Sequence, residues 1–292
     1  MSANFAFKAI GTDWKIDILD DISSEKEISL LELICNRIEE FEQVYSRFRD
    51  SSLVSEISRS AGEYKFPDDA ENLFALYKKF YMATDGMVTP LMGRVLSDAG
   101  YDSKYSLISK DKIDEANKWE DSFEYNHPML KTFKPLSFDF GAIGKGYLVD
   151  IVTKLIEDEG FKNFTVDAGG DISYRSSKNE TLEVGLENPD DTKQVIGLAK
   201  ISNKSICGSS GNRRAWGRHT HIINPKTAES PTNIITVWAV AENTAIADGL
   251  TTALFFLEPE KLQKHFHFEY AIVYANRAIK YSPEFPGHFF SI

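Results

Sequence analysis

Apolar and polar positions alternate at the start of the chain. Trp14, Ile16 and Ile18 fall on one side of a strand that the pattern runs through residues 5–19. The period then lengthens. Behind the capping-box pattern Ser24-x-x-Glu27, the residues Ile28, Leu31, Ile34, Ile38, Phe41 and Tyr45 recur at helical spacing. A second helix fits 68–83, with Leu73, Phe74, Tyr77, Phe80 and Tyr81 on one face. Its polar exit, Thr84-Asp85-Gly86, leads into Met87-Val88-Thr89-Pro90-Leu91. Residues 102–135 are charged and weakly periodic, which predicts surface excursions and one short helix. Leu148, Ile151, Val152, Leu155 and Ile156 predict a helix ending at Gly160, followed by a strand through Phe164-Thr165-Val166 into Asp167-Ala168-Gly169-Gly170-Asp171. Three short strands over 182–207, an apolar strand Ile234–Ala241, a helix over 244–257 capped by Asn243, and a strand Phe268–Tyr274 complete the pattern. Strands and helices mix without βαβ regularity, and no repeat or linker interrupts them. The expectation is a mixed α and β protein forming one compact unit over residues 1–292, in one lobe or two.

Composition narrows the partners. With 42% hydrophobic and 12% aromatic residues, the 292-residue chain has a globular composition and enough length for a large core. The net charge of −11 opposes binding to nucleic acid or to an anionic membrane, both of which reward clustered Lys and Arg. A polyphosphate ligand would need a local cationic site or a metal. Cys35 and Cys207 stand in no metal-like spacing and read as two buried thiols of a reducing compartment, with one disulfide as the alternative. No run of eighteen apolar residues exists, so no membrane span is expected. The opening residues show no export signal, which points to a cytoplasmic protein.

Three segments carry chemistry. In Asp139-Phe140-Gly141-Ala142-Ile143-Gly144-Lys145-Gly146-Tyr147, an apolar approach ending in a carboxylate meets three glycines and a lysine before an amphipathic helix. Glycines let backbone N–H groups approach an oxyanion, and the helix start adds partial positive charge. The segment admits a phosphate or pyrophosphate cradle or, without function, a tight strand-to-helix turn. It is neither a Walker loop nor a dinucleotide fingerprint. In Ala247-Asp248-Gly249-Leu250-Thr251-Thr252, the residues Asp248, Thr251 and Thr252 share a helix face as hard oxygen donors suited to Mg²⁺. The same residues also suit a helix start and mid-helix bonding to carbonyls. The third segment follows the small-residue turn Cys207–Gly211 with Asn212-Arg213-Arg214, then a short strand on which His219 and His221 face one side before an Asn224-Pro225 turn. An imidazole there fits a general base or orienting group, or a plain hydrogen-bonded strand histidine. His265 and His267 read as surface residues, and Asp167–Asp171 as a strand-turn-strand corner without function.

In order along the chain, these segments resemble the FAD:protein FMN transferase family, also called the ApbE family. The resemblance runs from Ile10-Gly11-Thr12-Asp13-Trp14 through Ser46-Arg47-Phe48, Gly86–Leu91, Asp139–Gly146, Val166–Ile172, Ser209-Ser210-Gly211 and His221–Thr227 to Asp248–Leu254. It implies an α+β fold with a flavin-binding cleft, FAD as substrate and Mg²⁺ at its pyrophosphate. The implied reaction moves FMN from FAD to a Thr or Ser hydroxyl of an acceptor protein carrying a flavinylation motif, releasing AMP. Hydrolysis of FAD to FMN and AMP, or FAD binding without catalysis, are the alternatives. By position, Met87, Val88, Thr89, Asp139, Lys145 and Ile222 would contact FAD. The metal would fall to Ala142, through its carbonyl, and to Asp248, Thr251 and Thr252. His221 takes the place of the family's functional histidine. The chain departs from the pattern at Val88-Thr89, where relatives often carry Phe-Asp, at Ile10 in place of Met, and at Asn212–Arg214 in place of an aromatic. A cytoplasmic member would need a cytoplasmic acceptor.

Overall fold

The first apolar run is a hairpin and not one strand. Strands Ala3–Ala9 and Thr12–Ile18 pair antiparallel, with Ala9 opposite Thr12. The turn between them is Ile10-Gly11, and both residues have positive φ, 47° and 74°. Two such residues form the turn whose twist matches that of the flanking strands. Glycine adopts that conformation freely, whereas a β-branched Ile10 is strained there. A computed structural model describes residues 2–290 of the chain.

This hairpin opens an eight-stranded antiparallel sheet. Its remaining strands, in spatial order, are Phe164–Ala168, Asp171–Arg175, Ser205–Ser210, Ile234–Ala241, Glu269–Tyr274 and Ile279–Tyr281. Because strand side chains alternate, each strand serves two cores. Trp14, Ile16, Val166, Cys207, Val237 and Ala239 point into the larger one, under the helices. Tyr174, Ile206, Trp238, Val240 and Val273 point the other way and meet Leu186, Ala199, Ile201 and Phe285. That second layer is a three-stranded sheet of Leu182–Asn188, Asp191–Ile201 and Gly287–Phe289. The apolar run Ile234–Ala241 is explained by its central place with both faces covered.

The helices follow their periodicity with small shifts. The helix Ser24–Tyr45 buries Leu30, Ile34, Ile38, Phe41 and Tyr45, whereas Ile28 is exposed. Its cap is Ser23, one residue before the expected box, with Oγ accepting from Lys26 N–H at 3.3 Å. Cys35 lies on the outer face of this helix, so only Cys207 of the two free thiols is buried. Helix Ala70–Ala83 buries Leu73, Phe74, Tyr77 and Phe80. Charge and weak periodicity over 102–135 predicted a helix, but the segment holds a hairpin of Phe123–Asn126 and Met129–Thr132, paired with Glu63–Lys65. Strands of four residues are too short to leave a clear alternation. No helix among the described residues is long and apolar enough to cross a membrane.

Two helices position the site. Gly144–Asp158 and Thr244–Ala253 pack against each other on the main sheet. Their approach is close because Gly146 lacks a side chain. A Cβ there would run into the carbonyl of Thr244 and lie 2.7 Å from Cβ of Asp248. Asp150 of the first helix caps the second, accepting from the N–H groups of Thr244 and Ala245, each at 2.8 Å. Asn243 accepts from Ile246 N–H at 2.9 Å, the cap expected from sequence.

Candidate functional site

The glycine run forms the entry to helix Gly144–Asp158. Asp139 is held on both of its oxygens: Arg47 forms an ion pair with Oδ2, and Gly141 N–H donates to Oδ1 at 2.8 Å. Its own N–H donates to the carbonyl of Pro90 at 2.8 Å, which brings the 88–90 segment alongside. Val88 and Thr89 are buried there and Met87 is half-buried. Thr89 Oγ1 accepts from Leu91 N–H at 3.2 Å, so the residue also shapes its own turn.

Deeper in, Asp248 is 4% exposed and Oδ2 accepts from Gly146 N–H at 2.9 Å. Burial, and then the nearby carboxylate of Asp171, push its pKa well up, against the opposing pull of Lys145. Thr251 is fully buried, donating to the Asp248 carbonyl at 2.7 Å and accepting from the Ser209 hydroxyl at 2.8 Å. Thr252, one position round the helix, is only half-buried. Lys145 forms an ion pair with Asp171. Burial works against its charge, but Asp171 and Asp248 outweigh that and raise its pKa, so it is cationic at any ordinary pH.

Asp171 corrects the sequence reading. The Gly169-Gly170 corner is a tight hairpin as expected, with Asp167 Oδ1 accepting from Gly170 N–H at 2.8 Å. Yet Asp171, first residue of the returning strand, is 1% exposed and faces the site. Its Oδ1 is buried without a hydrogen-bond partner among the described residues. Spacing could not reveal this, since the partner Lys145 lies 26 residues away. Two further residues escaped the sequence. Arg47 carries the ion pair to Asp139, and the buried hydroxyl of Tyr77, read as a core position, lies close enough to feel Asp139 and Asp248. A signal existed only for Arg47, within the Ser46–Phe48 motif.

His221 is separated from His219. The short strand ends at Thr220, and His219 packs by Trp216 with its Nε2 3.4 Å from Ser109 Oγ. His221 is turned toward the site, where burial and then the charges of Arg214 and Lys145 lower its pKa to about 4. Its N–H donates to the Arg214 carbonyl at 3.1 Å, and its Nδ1 is buried without a partner among the described residues. Ile222, next in line, is 5% exposed, its N–H bonded to Thr220 Oγ1 at 3.1 Å. His265 and His267 are exposed, as expected.

Fit to Mg²⁺ rests on this donor set. Asp171 and Asp248 are both buried near one ammonium, Lys145, and the raised pKa of Asp248 marks a carboxylate whose charge a hard cation would offset. No group of three His, Cys, Asp or Glu side chains able to hold a metal exists among the described residues. A metal here would rely on a carboxylate, a hydroxyl, a carbonyl and substrate oxygens, the kind of site Mg²⁺ takes at phosphates.

A glycine-rich helix start, a buried carboxylate pair with one lysine, and a histidine of lowered pKa make an arrangement that can take a phosphorylated ligand. The comparisons agree with that class. The ApbE family model matches residues 10–272, and the chain belongs to the ApbE family. It is 24% identical over 288 residues to FAD:protein FMN transferase of Escherichia coli K12, covering 91% of this chain and 82% of the relative. The Treponema pallidum FAD:protein FMN transferase is 26% identical over 283 residues, at 86% and 78% coverage. The fold matches the ApbE protein of Thermotoga maritima with a TM-score of 0.83, at 20% identity and 97% coverage of each chain. The flavin transferase ApbE of Vibrio cholerae superposes with a TM-score of 0.77, at 17% identity, covering 97% of this chain and 96% of that one.

Proposed function

We propose that this ApbE-family enzyme transfers FMN from FAD to a Thr or Ser hydroxyl of an acceptor protein, with Mg²⁺ bound at the FAD diphosphate. The observation that carries the reading is the ApbE family match, with Lys145 paired to Asp171 and Asp248 bonded to Gly146 N–H at the helix start. At the helix start Lys145, fixed by Asp171, would meet diphosphate oxygens, since the N–H groups of Gly141, Gly144 and Gly146 already donate to Asp139, Phe140 and Asp248. Asp248, Thr251 and the Ala142 carbonyl would hold Mg²⁺, with Thr252 at the edge of that set. Bound there, the metal would neutralise diphosphate charge and make phosphorus more electrophilic. Met87, Val88, Thr89 and Ile222 would bound the flavin end.

His221 would take the proton from the acceptor hydroxyl as its oxygen bonds to the FMN phosphorus. The bond from that phosphorus to the bridging oxygen breaks, and AMP departs with the bridging oxygen and its electron pair. The proton passes from the imidazole to solvent or to AMP. Contributing residues run from Arg47 to Thr252, so the reading takes the chain as one working domain.

The test is intact-mass spectrometry of a soluble acceptor carrying a Thr flavinylation motif, incubated with the protein, FAD and Mg²⁺. One added FMN per acceptor is expected, lost on chelation and lost by at least a hundredfold in His221→Ala. Free FMN and AMP with an unmodified acceptor would replace transfer by hydrolysis. Intact FAD throughout would leave only binding.

A further inference from the structure

The loop over residues 101–109 displays apolar side chains to solvent. Tyr105 is 51% exposed, Leu107 47% and Ile108 75%, and beside them Phe48 stacks on Tyr105 at a centroid distance of 5.4 Å. The loop is also tightly built. Asp102 Oδ1 accepts from the N–H groups of Lys104 and Ser106 at 2.8 and 3.1 Å, and Oδ2 from the Ser106 hydroxyl at 2.6 Å. Leu107 N–H donates to the Gly100 carbonyl at 2.8 Å, and a Cβ on Gly100 would lie 2.6 Å from Ile108 N. Tyr105 and Leu107 are held at positive φ, 51° and 55°. Such strain in residues with large side chains persists only where the surroundings impose it, and it clusters at binding sites. Folding gains nothing from turning these groups outward.

The patch is continuous with the site through Tyr101. The Tyr101 hydroxyl accepts from Arg214 at 2.9 Å, and the Arg214 carbonyl accepts from His221 N–H. The Tyr101 carbonyl accepts from Arg47, the partner of Asp139, at 2.8 Å. The rim is basic. Lys104 on the loop has no carboxylate at ion-pair distance among the described residues. The same holds for Arg218, which reaches the loop through His219 and Ser109. In a chain of net charge −11, unpaired cations gathered around an apolar patch fit a partner of opposite charge.

We propose that the 101–109 loop docks the acceptor protein, taking a segment in which apolar side chains are flanked by Asp or Glu. The inference rests on the transferase reading and gives its acceptor a place and a chemistry. Apolar groups settle against Tyr105, Leu107 and Ile108, carboxylates meet Lys104 and Arg218, and the hydroxyl is delivered past Tyr101 toward His221.

The experiment measures transfer to a soluble acceptor domain bearing a Thr flavinylation motif, beside FAD affinity from flavin fluorescence, in wild type, Ile108→Glu and Lys104→Glu. In both variants the KM for acceptor is expected to rise at least tenfold, with kcat and FAD affinity within twofold of wild type. Lys104→Glu changes only an exposed charge and serves if Ile108→Glu fails to fold. An unchanged acceptor KM in the folded variants overturns the proposal. So does a tenfold loss of FAD affinity, which would make the patch part of the flavin seat. Absence of transfer by the wild type itself removes the transferase reading, and this inference with it.

Discussion

His221 shows how a single side chain acquires its properties from its surroundings. An ordinary imidazole titrates near neutrality, but burial and the cations Arg214 and Lys145 bring this one down to about 4. A depressed folded-state pKa means that the ring is neutral above that value and gains its proton only as the pH falls through it. The acid limb of kcat/KM, which reports the free enzyme, is therefore expected to have a midpoint near 4, with no contribution from this ring between pH 6 and 8. Arg214→Ala removes one opposing charge and moves the midpoint upward. A wild-type midpoint at the ordinary imidazole value would show that His221 is not the titrating base. Lys145 and Asp171 make the complementary case, in which a fully buried carboxylate is held by a half-buried ammonium.

At the scale of elements, the site depends on how closely two helices approach. Gly146 and Asp248 touch because the glycine has no Cβ, and Asp248 reaches the Gly146 N–H only at that separation. Gly146→Ala is expected to lower stability by about 1–3 kcal/mol, the usual penalty for overpacking. It should also weaken Mg²⁺-dependent FAD binding by more than tenfold. Urea unfolding and a fluorescence titration check the two effects, and a variant that binds FAD normally would show that the helix separation is not critical. A propensity argument alone predicts the opposite sign, since alanine favours helix over glycine. Contact across helices decides against it. The hairpin corner Gly169-Gly170 works similarly, because a two-residue turn fixes the register that aims Asp171 inward.

The whole molecule is a scaffold in which one sheet carries two cores and one edge of the helical layer carries the site. Ligand binding to the folded state alone should stabilise it by mass action. FAD with Mg²⁺ is expected to raise Tm by several degrees, with less shift for either alone, because each offsets charge the other leaves. Equal shifts with and without Mg²⁺ would separate the metal from FAD binding. Calorimetry in EDTA and in Mg²⁺ provides the measurement.

Much of this was legible in the residues. Helical spacing located Ala70–Ala83 and Gly144–Asp158, the Asn243 cap located the second site helix, and the order of motifs identified the family. These are local signals, because periodicity, caps and glycine turns act over a few residues. The chain alone determined an α+β fold and the family. Which side chains meet was decided by the tertiary structure: Asp171 with Lys145, Arg47 with Asp139, His221 apart from His219, and the 101–109 loop beside them. The first two pairings span 26 and 92 residues. Electrostatic pairing depends on distance in space, and no pattern of spacing along a chain encodes that before the sheet and helices have packed.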